Sequence, residues 1–188
     1  VKGVQVGEPF SEDTAMGPLI CREQLERVEG FVSRAAESGL TPTLGGKRSE
    51  NQARGYYFDP TLYVDAPQDA EIVQKEIFGP VMVVLPFDSE EEALQKANGV
   101  IYGLASSIWT SDVTRSLRWA RDLKFGTVWI NDHMPLTSEM PHGGFKQSGF
   151  GKDMSIYALE DYTQIKHVMA EVTGQAYKNP RPDEHLGA

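Results

Sequence analysis

The apolar positions change period several times along the chain. From Cys21 to about Ser38, Leu25, Val28, Phe31, Val32 and Ala35 recur at steps of three and four, and Gly39 follows as a stop. That spacing predicts a helix. "TPTLGG" (41–46) and "YYFDPTLYV" (56–64) are short, strand-like and punctuated by turn residues. "DAEIVQKE" (69–76) has room for two helical turns, and "PVMVVLPF" (80–87) is a continuous apolar run, the mark of a strand buried on both faces. Ser89 with Glu92 three residues on forms a capping box, and the helix it opens is expected to end near Asn98-Gly99. "LASSIWT" (104–110) and "GTVWIN" (126–131) read as strands around a helix in "SDVTRSLRWARDL" (111–123). In that helix Val113, Leu117, Ala120 and Leu123 share a face. Strand–helix–strand order requires crossover connections, so the expected class is α/β with a mostly parallel sheet and flanking helices. Residues 132–155 lose all periodicity and are rich in glycine, an expected functional loop, before a short helix and a last strand at Tyr162–Ala170.

Composition narrows the function classes. The 188 residues are 40% hydrophobic and 24% charged, as in a globular domain. Lys and Arg number 18 against 27 Asp and Glu, a net charge of −9. Such a surface disfavours nucleic acid and anionic membranes, and no run of about 20 apolar residues spans a bilayer. Cys21 stands alone, so no internal disulfide forms and a reducing, cytoplasmic compartment is expected. The Gly- and Pro-rich start "VKGVQVGEPF" has no initiating Met and no signal peptide, and is expected to be the interior of a longer protein.

The candidate chemistry sorts by elimination. Gly144 and Gly149 have P-loop spacing, but Phe150 stands where lysine is required; Gly149-Phe150-Gly151 runs on to Met154 where a dinucleotide fingerprint needs glycine. These glycines are expected to let the backbone pass close to a ligand or another backbone. Cys21 opens the first helix with no histidine near it in sequence, and is expected to be a structural or surface thiol. His133 and His142, with Asp132 and Glu139, match no zinc spacing, so no metal is expected and one histidine is expected to line a pocket. Trp109, Trp119 and Trp129 are expected in the core. Glu76 differs. It opens "EIFGPV", where Phe78-Gly79-Pro80 turns the chain into a buried strand. Ligands of α/β folds gather at such strand ends. There a carboxylate accepts two hydrogen bonds from a vicinal diol such as a ribose, and a phenyl ring walls a heterocycle.

"EIFGPV" (76–81), Ala97-Asn98 with "YGLA" (102–105), "GTVWIN" (126–131), "PHGGFKQSGFGKD" (141–153) and "YTQIK" (162–166), in this order, resemble the C-terminal portion of the aldehyde dehydrogenase superfamily. "VGEPFSEDTAMGPLI" (6–20) and "GYYFDPTL" (55–62) match as well, so the resemblance covers nearly the whole chain. "SEMPHGG" (138–144) and "SGFGKDMSIYALEDYT" (148–163) look most like the γ-aminobutyraldehyde dehydrogenases. The resemblance implies an aldehyde substrate, NAD as cofactor, and a partial aldehyde dehydrogenase catalytic fold over residues 1–153. It further implies a helix and oligomerisation strand over 154–172, ahead of a flexible tail at 173–188. By the same match, Glu76 holds the nicotinamide ribose of NAD, Phe78 lies beside it, and Leu104 packs near the nicotinamide. His142 stands where many relatives place an aromatic residue in the aldehyde pocket. Asp153 replaces a longer glutamate with a possible relay role, and Lys75 replaces a second glutamate. The Tyr162–Ala170 strand is expected to join a dimer or tetramer. The nucleophilic cysteine and general-base glutamate are expected upstream of Val1, and the chain alone is expected to be inactive.

Overall fold

The computed structural model describes residues 1–50, 52 and 54–174; most of the expected 173–188 tail lies outside them. Its first helix, α1 (Arg22–Glu37), turns Leu25, Val28, Phe31 and Ala35 inward, the positions that the three- and four-residue spacing selects. Ser38 ends it, its hydroxyl donating to the Arg34 carbonyl at 2.9 Å. Gly39 then takes a φ of +83° that a side chain would resist.

α1 packs on one face of a parallel pair, β1 (Thr61–Val64) beside β2 (Val81–Val84), in the register Thr61↔Val81 to Val64↔Val84. Leu25, Val28 and Phe31 meet Phe58, Tyr63, Ile72 and Ile77 in a single core cluster. Burial of each large side chain there contributes about 1.5–3 kcal/mol. The run "PVMVVLPF" is thus covered on one face rather than both. Val81 and Val83 pack toward the core, whereas Met82 and Val84 are exposed, because no described element lies over the other face.

The crossover between β1 and β2 carries α2 (Glu71–Gln74), one turn where two were expected. Lys75 is already extended, at φ −116° and ψ 141°, so the chain can enter the "EIFGP" turn. α3 (Glu90–Asn98) starts at Ser89, whose Oγ accepts from the Glu92 N–H at 3.1 Å. The return bond of the capping box lands one residue early, from Asp88 N–H to Glu92 Oε2 at 2.8 Å. The helix ends at Asn98, with Gly99 as its cap.

β3 (Tyr102–Gly103) and β4 (Ala105–Ile108) follow, then α4 (Val113–Asp122) and β5 (Thr127–Ile130). β4 and β5 pair in parallel across α4, from Ala105↔Thr127 to Ile108↔Ile130. β3 instead pairs antiparallel with β6 (Phe145–Lys146), and α5 (Ser155–Asp161) closes the sequence of elements. The described strands therefore make an α/β arrangement of two parallel pairs and one short antiparallel pair.

Three expectations fail for one reason, the lack of a covering layer. Val113 and Leu117 on α4 are exposed, and only Leu123 of that expected face is buried. Trp109 is 69% exposed rather than in the core. Trp119 and Trp129 are half-buried, each with its indole N–H donated: Trp119 to Glu90 at 3.4 Å and Trp129 to the Pro135 carbonyl at 2.9 Å. At Tyr162–Ala170 the expected strand is not formed. Residues 164–172 take no regular element, and Ile165, Val168 and Met169 are exposed; a strand exists only beside a backbone partner, and none of the described strands pairs with this segment. Among the described residues no helix is long and apolar enough to cross a membrane.

Candidate functional site

The turn that carries Glu76 is held from α1. Arg27 donates from Nη2 to the Glu76 carbonyl at 2.7 Å and from Nε to the Ile77 carbonyl at 3.2 Å. Gln24, one helical turn earlier, donates from Nε2 to the carbonyls of Ile77 at 3.2 Å and Phe78 at 2.6 Å. Three successive carbonyls are therefore fixed by two side chains three residues apart on one helix edge. Phe78 sits at φ +59°, in the left-handed region that a bulky residue rarely enters. Gly79 follows so close to α1 that a Cβ there would lie 2.4 Å from Val28 Cγ2. Ile77 is buried in the core, which leaves the Glu76 carboxylate and the Phe78 ring, 72% exposed, on the open side. Both line a cleft of about 470 Å³ that Lys75 also borders.

Leu104, His142 and Asp153 line a second, larger cleft of about 730 Å³. Glycine contacts build it. A Cβ on Gly126, at the start of β5, would lie 1.6 Å from the Gly143 carbonyl oxygen, and one on Gly143 would lie 2.5 Å from that of Gly151. One on Gly103 would lie 2.5 Å from the Lys124 carbonyl oxygen. Here the glycines serve backbone-on-backbone approach. The neighbouring segments are tied as a bridge: His142 N–H donates to the Asp153 carbonyl at 3.0 Å, and Asp153 N–H returns to the His142 carbonyl at 2.9 Å. Their side chains meet too, His142 Nδ1 to Asp153 Oδ1 at 2.7 Å. Nearby, Lys146 donates to the carbonyls of Asn98 and Val100, both at 3.0 Å, and burial pushes its ammonium below the usual lysine range.

The expected site residues thus divide. Glu76 and Phe78 share one cleft; Leu104, His142 and Asp153 share the other. Glu139 is exposed and lines neither, and His133 is exposed, its Nδ1 2.7 Å from Ser107 Oγ. Cys21 is the residue before α1 and lines neither cleft. Sequence reasoning missed Gln24 and Arg27. Their only signal was a position flanking the buried Val28 on the polar edge of α1, which periodicity does not weigh. What the two clefts can do chemically is plain. The first offers a carboxylate acceptor beside an aromatic wall, and the second a histidine–aspartate pair among glycine backbone and apolar side chains.

The aldehyde dehydrogenase family profile matches residues 1–168. A betaine aldehyde dehydrogenase of Bacillus subtilis is 42% identical over 183 residues, which are 96% of this chain and 36% of that protein. A rat 4-trimethylaminobutyraldehyde dehydrogenase is 41% identical over 173 residues, 90% of this chain and 35% of that protein. Among solved structures, a Bacillus cereus aldehyde dehydrogenase in complex with NAD+ superposes with a TM-score of 0.84 at 43% identity, covering 88% of this chain and 33% of that one. The chain spans about a third of the length of these relatives. With both the sequence match and the fold in agreement along almost its full length, the chain belongs to the aldehyde dehydrogenase family.

Proposed function

We propose that this chain is part of an NAD-dependent aldehyde dehydrogenase that oxidises an aldehyde to a carboxylate, and that it supplies one wall of the nicotinamide site and part of the aldehyde cleft. The observation that carries the reading is the turn at Glu76: a carboxylate and a phenyl ring face one cleft on a backbone pinned by Gln24 and Arg27. The residues fit the cofactor, since an exposed carboxylate accepts from both hydroxyls of a ribose and Phe78 offers a flat apolar wall. When bound, NAD supplies the hydride acceptor. Glu76 then binds and orients the ribose, Phe78 and Leu104 confine the nicotinamide, His142 walls the aldehyde cleft, and Asp153 holds the His142 ring.

The reaction also needs a thiolate nucleophile and a base. Neither cleft is lined by a cysteine, so in this reading the 188-residue chain alone does not turn over aldehyde. The substrate class is an ω-amino aldehyde such as 4-aminobutanal. Relatives named for betaine aldehyde and 4-trimethylaminobutyraldehyde favour a quaternary ammonium aldehyde as the second reading. The exposed apolar arm after α5, with Ile165, Val168, Met169 and Val172, would pair with a second copy in a dimer or tetramer.

The test is Glu76→Gln in the complete enzyme. One charge-assisted acceptor is lost, so hydride transfer slows and the cofactor KM rises by about tenfold or more. The thermal midpoint changes little, because the side chain is exposed. An unchanged rate together with unchanged cofactor affinity refutes the assignment.

A further inference from the structure

The His142–Asp153 pair fixes the roles of the two ring nitrogens in a residue that lines the larger cleft. A carboxylate oxygen only accepts, so the tautomer that the 2.7 Å contact selects carries its proton on Nδ1. Nε2 is then left as a lone-pair acceptor, and no protein group among the described residues donates to it. The ring is held from both ends, by the side-chain bond to Asp153 and by the paired backbone bonds between the same two residues. Its side chain is 22% exposed while that of Asp153 is 67% exposed, so the histidine is the more enclosed member and borders the cleft.

The surroundings define what would donate. Asp153 and Asp161 bring two carboxylates to the cleft. Asp161 accepts from the Lys152 N–H at 3.3 Å, and the Lys152 ammonium lies over the Phe145 ring, 5.5 Å from its centroid. Phe150 and Tyr162 add exposed aromatic faces at the rim, apolar enough for a methylene chain and attractive to a cation.

We infer that His142 is a specificity-determining residue whose Nε2, oriented by Asp153, accepts a hydrogen bond from the N–H of a protonated amine on the substrate, so that the cleft selects aldehydes carrying a primary ammonium over those carrying a quaternary one. The inference rests on the proposed aldehyde oxidation and narrows its substrate class. A trimethylammonium group carries the same charge but has no N–H, so it leaves the Nε2 acceptor facing an apolar methyl surface.

Binding tests this without turnover. Calorimetry on the complete enzyme would compare propylammonium, N,N-dimethylpropylammonium and N,N,N-trimethylpropylammonium chlorides. The first two each keep an N–H and bind comparably, while the third binds about tenfold more weakly or worse. A gradual decline with each added methyl would mark a steric effect and overturn the inference, as would equal affinity for all three. His142→Phe abolishes the discrimination, Asp153→Asn reduces it, and His142→Gln, which keeps an acceptor, restores part of it. Discrimination that survives in His142→Phe also overturns the inference. Should the phenylalanine variant not fold, the wild-type series and His142→Gln still decide. In turnover, the ratio of kcat/KM for 3-aminopropanal over propanal falls by about the same factor in His142→Phe. If no aldehyde is oxidised at all, the proposed reaction fails while the cation series still reads the cleft.

Discussion

At the scale of single residues, the site depends on side chains that do not face it. Phe78 holds a left-handed backbone, a conformation that costs of order 1–3 kcal/mol and persists only if its surroundings impose it. Arg27 and Gln24 impose it from α1 through three carbonyls. Replacing Arg27 by Met keeps the stem but removes two donors. In the complete enzyme proposed above we expect a loss of about 1–2 kcal/mol in chemical denaturation and a larger relative rise in cofactor KM than in aldehyde KM. Equal rises in both would mean that the arginine supports the fold without positioning the turn. That Glu76 and Phe78 sit together on one turn was legible from "EIFGPV", where an acidic and an aromatic residue precede Gly79-Pro80. Gln24 and Arg27 were not, because their partners are carbonyls some fifty positions away, which leave no trace in residue type.

At the scale of elements, local chemistry was the readable part. α1, α3 and β5 lie within a residue or two of where spacing and caps put them, because each boundary is decided by neighbours in sequence. Asp112 illustrates such a boundary: its carboxylate accepts from the Arg115 N–H at 3.0 Å and starts α4. Asp112→Ala is expected to lower stability by about 1 kcal/mol, read as a shift in urea midpoint without a change in slope. A shift near zero would show that α4 is held by the Glu90–Arg115 and Glu90–Arg118 contacts instead. What sequence could not supply was the covering of faces. The exposed side of β2, the Val113–Leu117 face of α4 and the arm at 162–172 all have the apolar pattern of packed elements. The pattern declares that a partner is needed and is silent on where the partner comes from.

At the scale of the whole molecule, the excess of acid is partly bound up in pairs. Arg48 holds the Glu29 carboxyl below the usual carboxylate range, as Arg115 does for Glu90 and Arg121 for Asp122. The Asp88 and Arg115 N–H groups do the same for Glu92 and Asp112. Folded values below unfolded ones contribute stability above the unfolded value, near 4, and that stability is lost as pH falls through the folded values. Thermal midpoints should therefore stay level from pH 7 to about 5 and drop below about 4, less steeply in high salt. A midpoint that rises on acidification would contradict the pairing. The glycine contacts work at this scale as well. Gly126 has no side chain and lines neither cleft, yet it sets how near the strand start can come to the segment that bears His142. A single methyl group there would have to push that segment outward and carry the imidazole with it. On the selectivity proposed for His142, substrate preference would then be under the control of a position that lines neither cleft, and a drift in selectivity could originate in the scaffold with every cleft-lining side chain unchanged.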